Sequence, residues 1–196
     1  MKLHGQTGDR KYLDAVEKSF DYYKNIFDTE PNQRSCPWQI QAWALAFDTT
    51  AKRKYADFVL QMADYLVTFQ ADEAADVYPD MVGGFVSDEG VGGVGSAAYL
   101  EGMAEACRIA RKVGDAKRAE QYAHVLLLGA RLIDQLIFKE PEAFYCVTKK
   151  EVVGGVKMSP MDHSIRIDNC QHAVLALMGI RQMLFPPPSS QPGPRR

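Results

Sequence analysis

Most of the chain repeats its hydrophobic residues every three or four positions, the spacing of one face of an α-helix. Three such stripes run through residues 12–27, 55–69 and 122–136. Between them lie alanine-rich segments, whose small side chains allow neighbouring helices to approach closely. The pattern therefore predicts an all-α fold with six substantial helices, at about 9–27, 37–48, 52–70, 96–113, 115–138 and 165–184.

The joints between the predicted helices are short and similar. Gly8-Asp9 precedes one amphipathic helix and Gly114-Asp115 precedes another, while two threonines at 49–50 occupy the matching joint. Glycine can take the left-handed conformation that ends a helix, and aspartate can cap the start of the next one. These joints predict tandem αα-hairpins with almost no connecting loop.

A longer repeat relates two parts of the chain. A Gly-Gly-Phe segment at 83–85 precedes a helix that carries Glu101, and a Gly-Gly-Val segment at 154–156 precedes a helix that carries His172. The two units are 71 residues apart, and the second glycine lies 17 positions before the helix residue in both. Repetition of one supersecondary unit predicts that the long glycine-bearing loops emerge on a single rim.

These features resemble the six-hairpin (α/α) toroid superfamily, which includes glycosidases, sugar 2-epimerases and unsaturated glucuronyl hydrolases. The resemblance covers one domain, residues 1–184. It implies that the long loops and the N-termini of the inner helices face a shared cavity, and that the protein is carbohydrate-active. The implied reaction is glycoside hydrolysis or sugar epimerisation on a small, sugar-like substrate.

The number of helices departs from the resemblance. A closed toroid of this superfamily has twelve helices, and residues 3–8 are typical of the tail of a preceding helix. We therefore expect a partial (α/α)6-toroid-like array, either a fragment of a longer protein or an open half-ring. An open half-ring would expose apolar surfaces, so a homo-oligomer is expected. The alternative function is a non-catalytic helical scaffold, or a fragment of a larger toroid enzyme, that binds a partner or itself.

The C-terminal segment, residues 185–196, is rich in proline, serine and glycine and has no core pattern. This composition predicts an extended, disordered tail. It is either native sequence or a foreign addition.

The charge and composition of the chain argue against two classes of partner, nucleic acid and membranes. The net charge is −2 and no basic stripe is present, which argues against binding to nucleic acid. No apolar run approaches the ~20 residues that span a bilayer, so no membrane association is expected. The start of the chain lacks the apolar region of a secretory signal, and the four cysteines form no C-x-x-C pair. We expect reduced thiols and a cytoplasmic protein.

The densest polar cluster opens the last predicted helix. Asp168 and His172 are four residues apart and share a face, so the carboxylate is expected to orient the imidazole as a general base. Arg166 and Gln171 are candidates for binding substrate, Arg166 through a carboxylate or phosphate group. In the structural alternative, Asp168 offsets the helix dipole and His172 is a hydrogen-bonded residue of the inner layer.

A second cluster surrounds the Gly-Gly-Phe loop. Glu101 is a carboxylate in a helix rich in alanine, glycine and methionine, and Asp168 would be its partner if the reaction is hydrolysis by two carboxylates. Tyr99 and Asp88 are candidates for binding the sugar. The alternative for Asp88 is a solvated acidic loop whose glycines permit tight turns.

A third cluster lies at the start of the first alanine-rich helix, where Trp38 is a candidate for stacking on a sugar ring; the alternative is that it fills the core. Although His163, Cys170 and His172 are metal-binding residue types, their spacing does not require a metal. The glycine-rich segment 90–95 does not follow a predicted strand and is no phosphate-binding fingerprint. The sequence therefore predicts neither a metal nor a cofactor.

Overall fold

In the computed structural model, which describes residues 2–87 and 90–186, the chain is mostly helical, and the all-α prediction is confirmed. The only paired strands of the described residues form a two-stranded antiparallel ribbon. The elements are α1 (Lys2–Thr7), α2 (Lys11–Thr29), α3 (Cys36–Thr50), α4 (Arg53–Val67), β1 (Val86–Ser87), β2 (Gly90–Val91), α5 (Ser96–Lys112), α6 (Ala116–Leu136), α7 (Lys149–Val152) and α8 (Ile167–Leu184). Short 3-10 turns occupy Gln33–Ser35, Pro79–Met81 and Glu140–Tyr145.

Each of the three short joints contains one residue in the left-handed conformation. These are Gly8 (φ 70°), Ala51 (φ 56°) and Gly114 (φ 79°), so the third joint uses an alanine directly after the two threonines. Asp9 and Asp115 accept hydrogen bonds from backbone N–H groups two and three residues further on. The predicted capping by aspartate is confirmed for Asp115, the N-cap of α6, whereas Asp9 lies one residue before Arg10, the N-cap of α2.

The helices pack in two layers. In the inner layer, α5 lies between α3 and α8 and contacts both. In the outer layer, α4 packs on α3 and α5, and α6 packs on α5 and α8. The helix α2 joins the outer layer at the α3 end through Phe20 and Phe27, whose rings meet Trp43, Tyr55 and Phe58 edge-on.

A polar network fixes α4 to α6 within the outer layer. Arg118 of α6 makes ion pairs with Asp64 of α4, at 2.8 Å, and with the capping Asp115, at 2.7 Å. The buried Tyr122 hydroxyl donates to Asp64 at 2.6 Å and lies 3.1 Å from the carbonyl of Leu60. Burial and then this hydrogen bond raise the pKa of Tyr122, so its hydroxyl stays protonated and the network holds the two helices in register.

The two long loops have the same backbone arrangement. Gly83 (φ 96°) and Gly154 (φ 88°) are both left-handed, and the segments beside them pair with the chain at Ala71 and Phe138 by equivalent hydrogen bonds. The loops also meet, because the N–H of Val94 donates to the carbonyl of Met158 at 2.9 Å. The 71-residue repeat is therefore structural, and these two loops lie together where α5 and α8 begin.

Candidate active site

Three residues at the starts of the inner-layer helices come together. Trp38 lies in the first turn of α3, and Glu101 and His172 lie in the second turns of α5 and α8. Since Glu101 and His172 are 71 residues apart, they occupy the same position in the two repeat units. Their contacts show that the three helices begin at the same end of the layer.

Glu101 and His172 form a hydrogen-bonded pair. The Glu101 Oε1 atom lies 2.6 Å from His172 Nδ1, and the side chains are 14% and 30% exposed. If Nδ1–H donates to the carboxylate, Nε2 of the neutral ring carries the lone pair. No described residue forms a hydrogen bond with Nε2. The pair is thus a half-buried imidazole that a carboxylate orients, with Nε2 unbonded among the described residues.

The carboxylate that contacts His172 is not the one that the helix spacing suggested. Asp168 pairs instead with Arg166, whose Nη2 and Nε lie 2.7 and 3.0 Å from its two oxygens. The Arg166 hydrogen bonds hold the pKa of Asp168 below its ordinary value. The expectation that Asp168 orients His172 is corrected here: Arg166 precedes α8 in an extended conformation and its side chain reaches the first turn.

Trp38 stands beside the imidazole. The two ring centroids are 6.3 Å apart with the rings nearly perpendicular, and Trp38 is 57% exposed. The indole does not fill the core, so the structural alternative for this residue is not supported. On its other side Trp38 lines an apolar groove of about 460 Å³ between α2 and α3, together with Tyr23 and Ala42.

Tyr99 lies away from the pair. Its ring stacks on Phe85 with the centroids 4.9 Å apart, and burial raises the pKa of its hydroxyl. Because Phe85 belongs to the Gly-Gly-Phe loop, Tyr99 fixes that loop on α5. Among the described residues the structure records no hydrogen bond between Tyr99 and the Glu101–His172 pair.

The remaining candidates have different outcomes. Gln171 is exposed on α8 beside His172. Asp88 lies outside the described residues, so its predicted role in binding stays a prediction.

Sequence reasoning did not single out the charged stripe that continues down the inner layer from Glu101. Glu105 and Arg108 follow on the same face of α5, and Arg108 pairs with Glu105 and with Asp48 of α3, each at 2.7 Å. Burial opposes ionisation of Asp48, but hydrogen bonds from Arg108 and Lys112 outweigh it and lower its pKa. The signal for this charged stripe is present in the sequence. Charged residues recur every three or four positions in a helix whose other residues are mostly buried, at Glu101, Glu105, Arg108 and Lys112.

The described residues contain no group of three or more histidine, cysteine or acidic side chains placed to hold a metal ion. In the same part of the chain, no helix is both long and apolar enough to cross a membrane.

Comparison of the chain with protein-family models, with curated proteins and with solved structures finds no significant match. Function is therefore inferred from the geometry of the site.

Proposed function

We propose that this protein acts on carbohydrate by acid–base chemistry, with His172 as the base that removes a proton from a sugar carbon. The observation that carries the proposal is the 2.6 Å contact between Glu101 Oε1 and His172 Nδ1. A carboxylate on one ring nitrogen fixes the tautomer and favours the imidazolium that forms when the other nitrogen takes a proton.

The chemistry requires an activated carbon. Nε2 of His172 takes the proton from a carbon next to a carbonyl or carboxyl group, and the C–H electron pair moves onto that group's oxygen to give an enediolate. Return of a proton from the imidazolium or from water to the same carbon restores the carbonyl. Delivery to the opposite face gives the epimer, so an open-chain aldose or ketose, or a uronate, is the class of substrate that fits.

Proton transfer fits the geometry better than hydrolysis by two carboxylates. A glycosidase needs one free carboxylic acid and one free carboxylate on the two sides of the scissile bond. Here Glu101 is hydrogen-bonded to His172 and Asp168 is paired with Arg166. Using both carboxylates would require both of these contacts to open.

The sugar part of the proposal rests on Trp38 and on the resemblance. An exposed indole next to a polar reactive group is suited to the C–H face of a sugar, either the ring of a uronate or the chain of an open aldose, while the hydroxyls bond to polar neighbours. At 6.3 Å between ring centroids, Trp38 and His172 are close enough to touch the same small ligand.

The test is exchange of carbon-bound hydrogen with solvent. The protein is incubated in D₂O with D-glucose, D-mannose, N-acetyl-D-glucosamine and D-glucuronate, and loss of the proton next to the carbonyl or carboxyl group is followed by NMR. We expect exchange in at least one sugar, lowered by ~10²–10⁴-fold in His172→Gln, the range that a general base contributes. Glu101→Gln should lower it less.

The matched control is His124→Gln, since His124 is an exposed histidine of α6 in the outer layer. It should leave the exchange rate unchanged. If no sugar of the panel exchanges, or if His172→Gln exchanges as fast as His124→Gln, the proposal is wrong.

A further inference from the structure

Two apolar helix faces at opposite ends of the array are largely exposed in the described part of the chain, one on α8 and one on the second half of α2. On α8, Ile167, Val174 and Met178 are 90%, 53% and 55% exposed. On α2, Tyr22 and Ile26 are 64% and 39% exposed. Large apolar side chains grouped on one helix face mark an interaction surface.

The repeat identifies what the α8 face is built to contact. The residues of α5 that lie 71 positions before Val174 and Met178 are Met103 and Cys107, and both are fully buried. Cys107 lies against α6, where its Sγ is 3.6 Å from the carbonyl oxygen of Ala119. The exposed face of α8 is therefore the counterpart of the face of α5 that packs on the following outer helix.

The exposed face of α2 is the counterpart of the face of α6 that packs on α5. Both α2 and α6 follow a Gly-Asp joint, and with these joints aligned Ile26 corresponds to Leu132 and Tyr22 to Leu128. Leu132 is fully buried and Leu128 is 7% exposed. The α6 residue that corresponds to Tyr23 is Gly129, which packs so closely on α5 that an added Cβ would lie 2.3 Å from a methyl group of Leu100.

We propose that two copies of this chain associate, with α8 of each copy packing against α2 of the other as α5 packs against α6. Each copy supplies both faces, so the two contacts are equivalent and the assembly closes as a twofold dimer. In the α5–α6 pair, the start of α5 lies near the end of α6. The same arrangement between copies brings Ile167, at the start of α8 in one copy, close to Ile26, near the end of α2 in the other.

The helix α1 precedes the Gly8 joint, so it occupies the place that the end of a preceding inner helix would take. It contains no buried residue and contacts α2. The end of α8 from the second copy can therefore displace α1 with little loss of packing.

The apolar area of the two faces reaches the lower end of the size range of specific protein interfaces. The exposed parts of Tyr22, Tyr23, Ile26, Ile167, Val174 and Met178 present on the order of 600 Å² per copy, so the two copies together would bury ~1,200 Å², which is that lower end. The acidic residues of α8 are limited to Asp168, which is already paired with Arg166. Association would thus bury apolar surface without stranding a carboxylate of this helix.

The first experiment measures mass by sedimentation equilibrium over a range of concentrations. We expect the full chain to reach twice its 21.9 kDa mass. Met178→Glu should weaken the dimer at least about tenfold, because the interface would bury an unpaired charge. The control is Leu127→Glu, which places a glutamate at a leucine of α6 that is also 55% exposed. It should leave the dimer intact.

The second experiment tests which helices meet. Ile167→Glu and Ile26→Lys should each weaken the dimer when present alone. Mixing the two variants should restore association, because a mixed dimer has one contact in which the new glutamate faces the new lysine and one contact with wild-type residues on both sides. A mixture that stays as weak as its components would overturn the α8–α2 pairing. A wild-type chain that remains at 21.9 kDa at every concentration, or equal weakening by Leu127→Glu and Met178→Glu, would overturn the proposal.

Discussion

At the scale of single residues, ion pairs decide which carboxylates are available for chemistry. Asp168 is four residues from His172 on the same helix, yet Arg166 takes it, and Glu101 reaches the imidazole from another helix. Spacing along one helix shows which residues share a face. It does not show which neighbour forms the better hydrogen bond, and that depends on the side chains that other elements bring to the same place.

Glu17 gives a pH dependence that can be measured. It joins α2 to α4 by accepting hydrogen bonds from Lys52 at 2.7 Å, from Lys54, and from Tyr55 at 2.6 Å. The Lys52 bond first, then those of Lys54 and Tyr55, lower the pKa of Glu17 to about 2. An unfolded glutamate has a pKa of about 4.3. Ionised Glu17 therefore stabilises the fold above pH ~4.3, and this contribution is lost as the pH falls to about 2.

We expect Glu17→Gln to lower the urea midpoint of unfolding at pH 7 and to flatten the fall in stability between pH ~4.5 and 2. The difference from wild type should vanish near pH 2. The control is Glu120→Gln, an exposed glutamate of α6 without an ion pair in the described structure. A Glu17→Gln protein with the wild-type acid profile would show that these contacts do not stabilise the fold.

At the scale of elements, the sequence predicted the helices well and the loops only in outline. Apolar periodicity reports the side of a helix that is buried, and the Gly-Asp joints mark where helices end, so all six helices were placed within a few residues. The predicted end at residue 70 was too late because Gln70 pairs with Phe85, a contact that local spacing cannot reveal. The 71-residue repeat was the one long-range signal, and it related Glu101 to His172 without showing that they touch.

The left-handed glycine of the first long loop provides a test of that packing. A Cβ on Gly83 would lie 2.2 Å from the carbonyl oxygen of Leu128, whereas Gly90 has a similar φ of 101° and nothing within 4 Å. Alanine at either position carries the strain of a left-handed residue, roughly 1–2 kcal/mol. Gly83→Ala should cost at least about 2 kcal/mol more than Gly90→Ala in urea unfolding, because the clash is with backbone. Equal costs would contradict this close contact between the loop and α6.

At the scale of the whole molecule, the inner layer brings the candidate site residues together. Because α3, α5 and α8 begin at the same end, the first turn of α3 faces the second turn of α5, which in turn faces the second turn of α8. Residues far apart in sequence therefore meet. Composition and periodicity could indicate that such a layer exists. The residues that pair across the layer depend on how far each helix is shifted along its axis relative to its neighbour. That shift is set by close packing, such as the contact of Gly102 with Pro37.

Glu101, and not Asp168, forms the hydrogen bond that orients the His172 imidazole, and no described residue bonds to its Nε2. Long-range ¹H–¹⁵N NMR of the imidazole nitrogens tests it directly, with the His172 signal assigned among the four histidines by its absence in His172→Gln. At a pH where the ring is neutral, we expect the proton on Nδ1, a mixture of tautomers in Glu101→Gln, and an unchanged signal in Asp168→Asn. A signal that changes in Asp168→Asn and not in Glu101→Gln would contradict it.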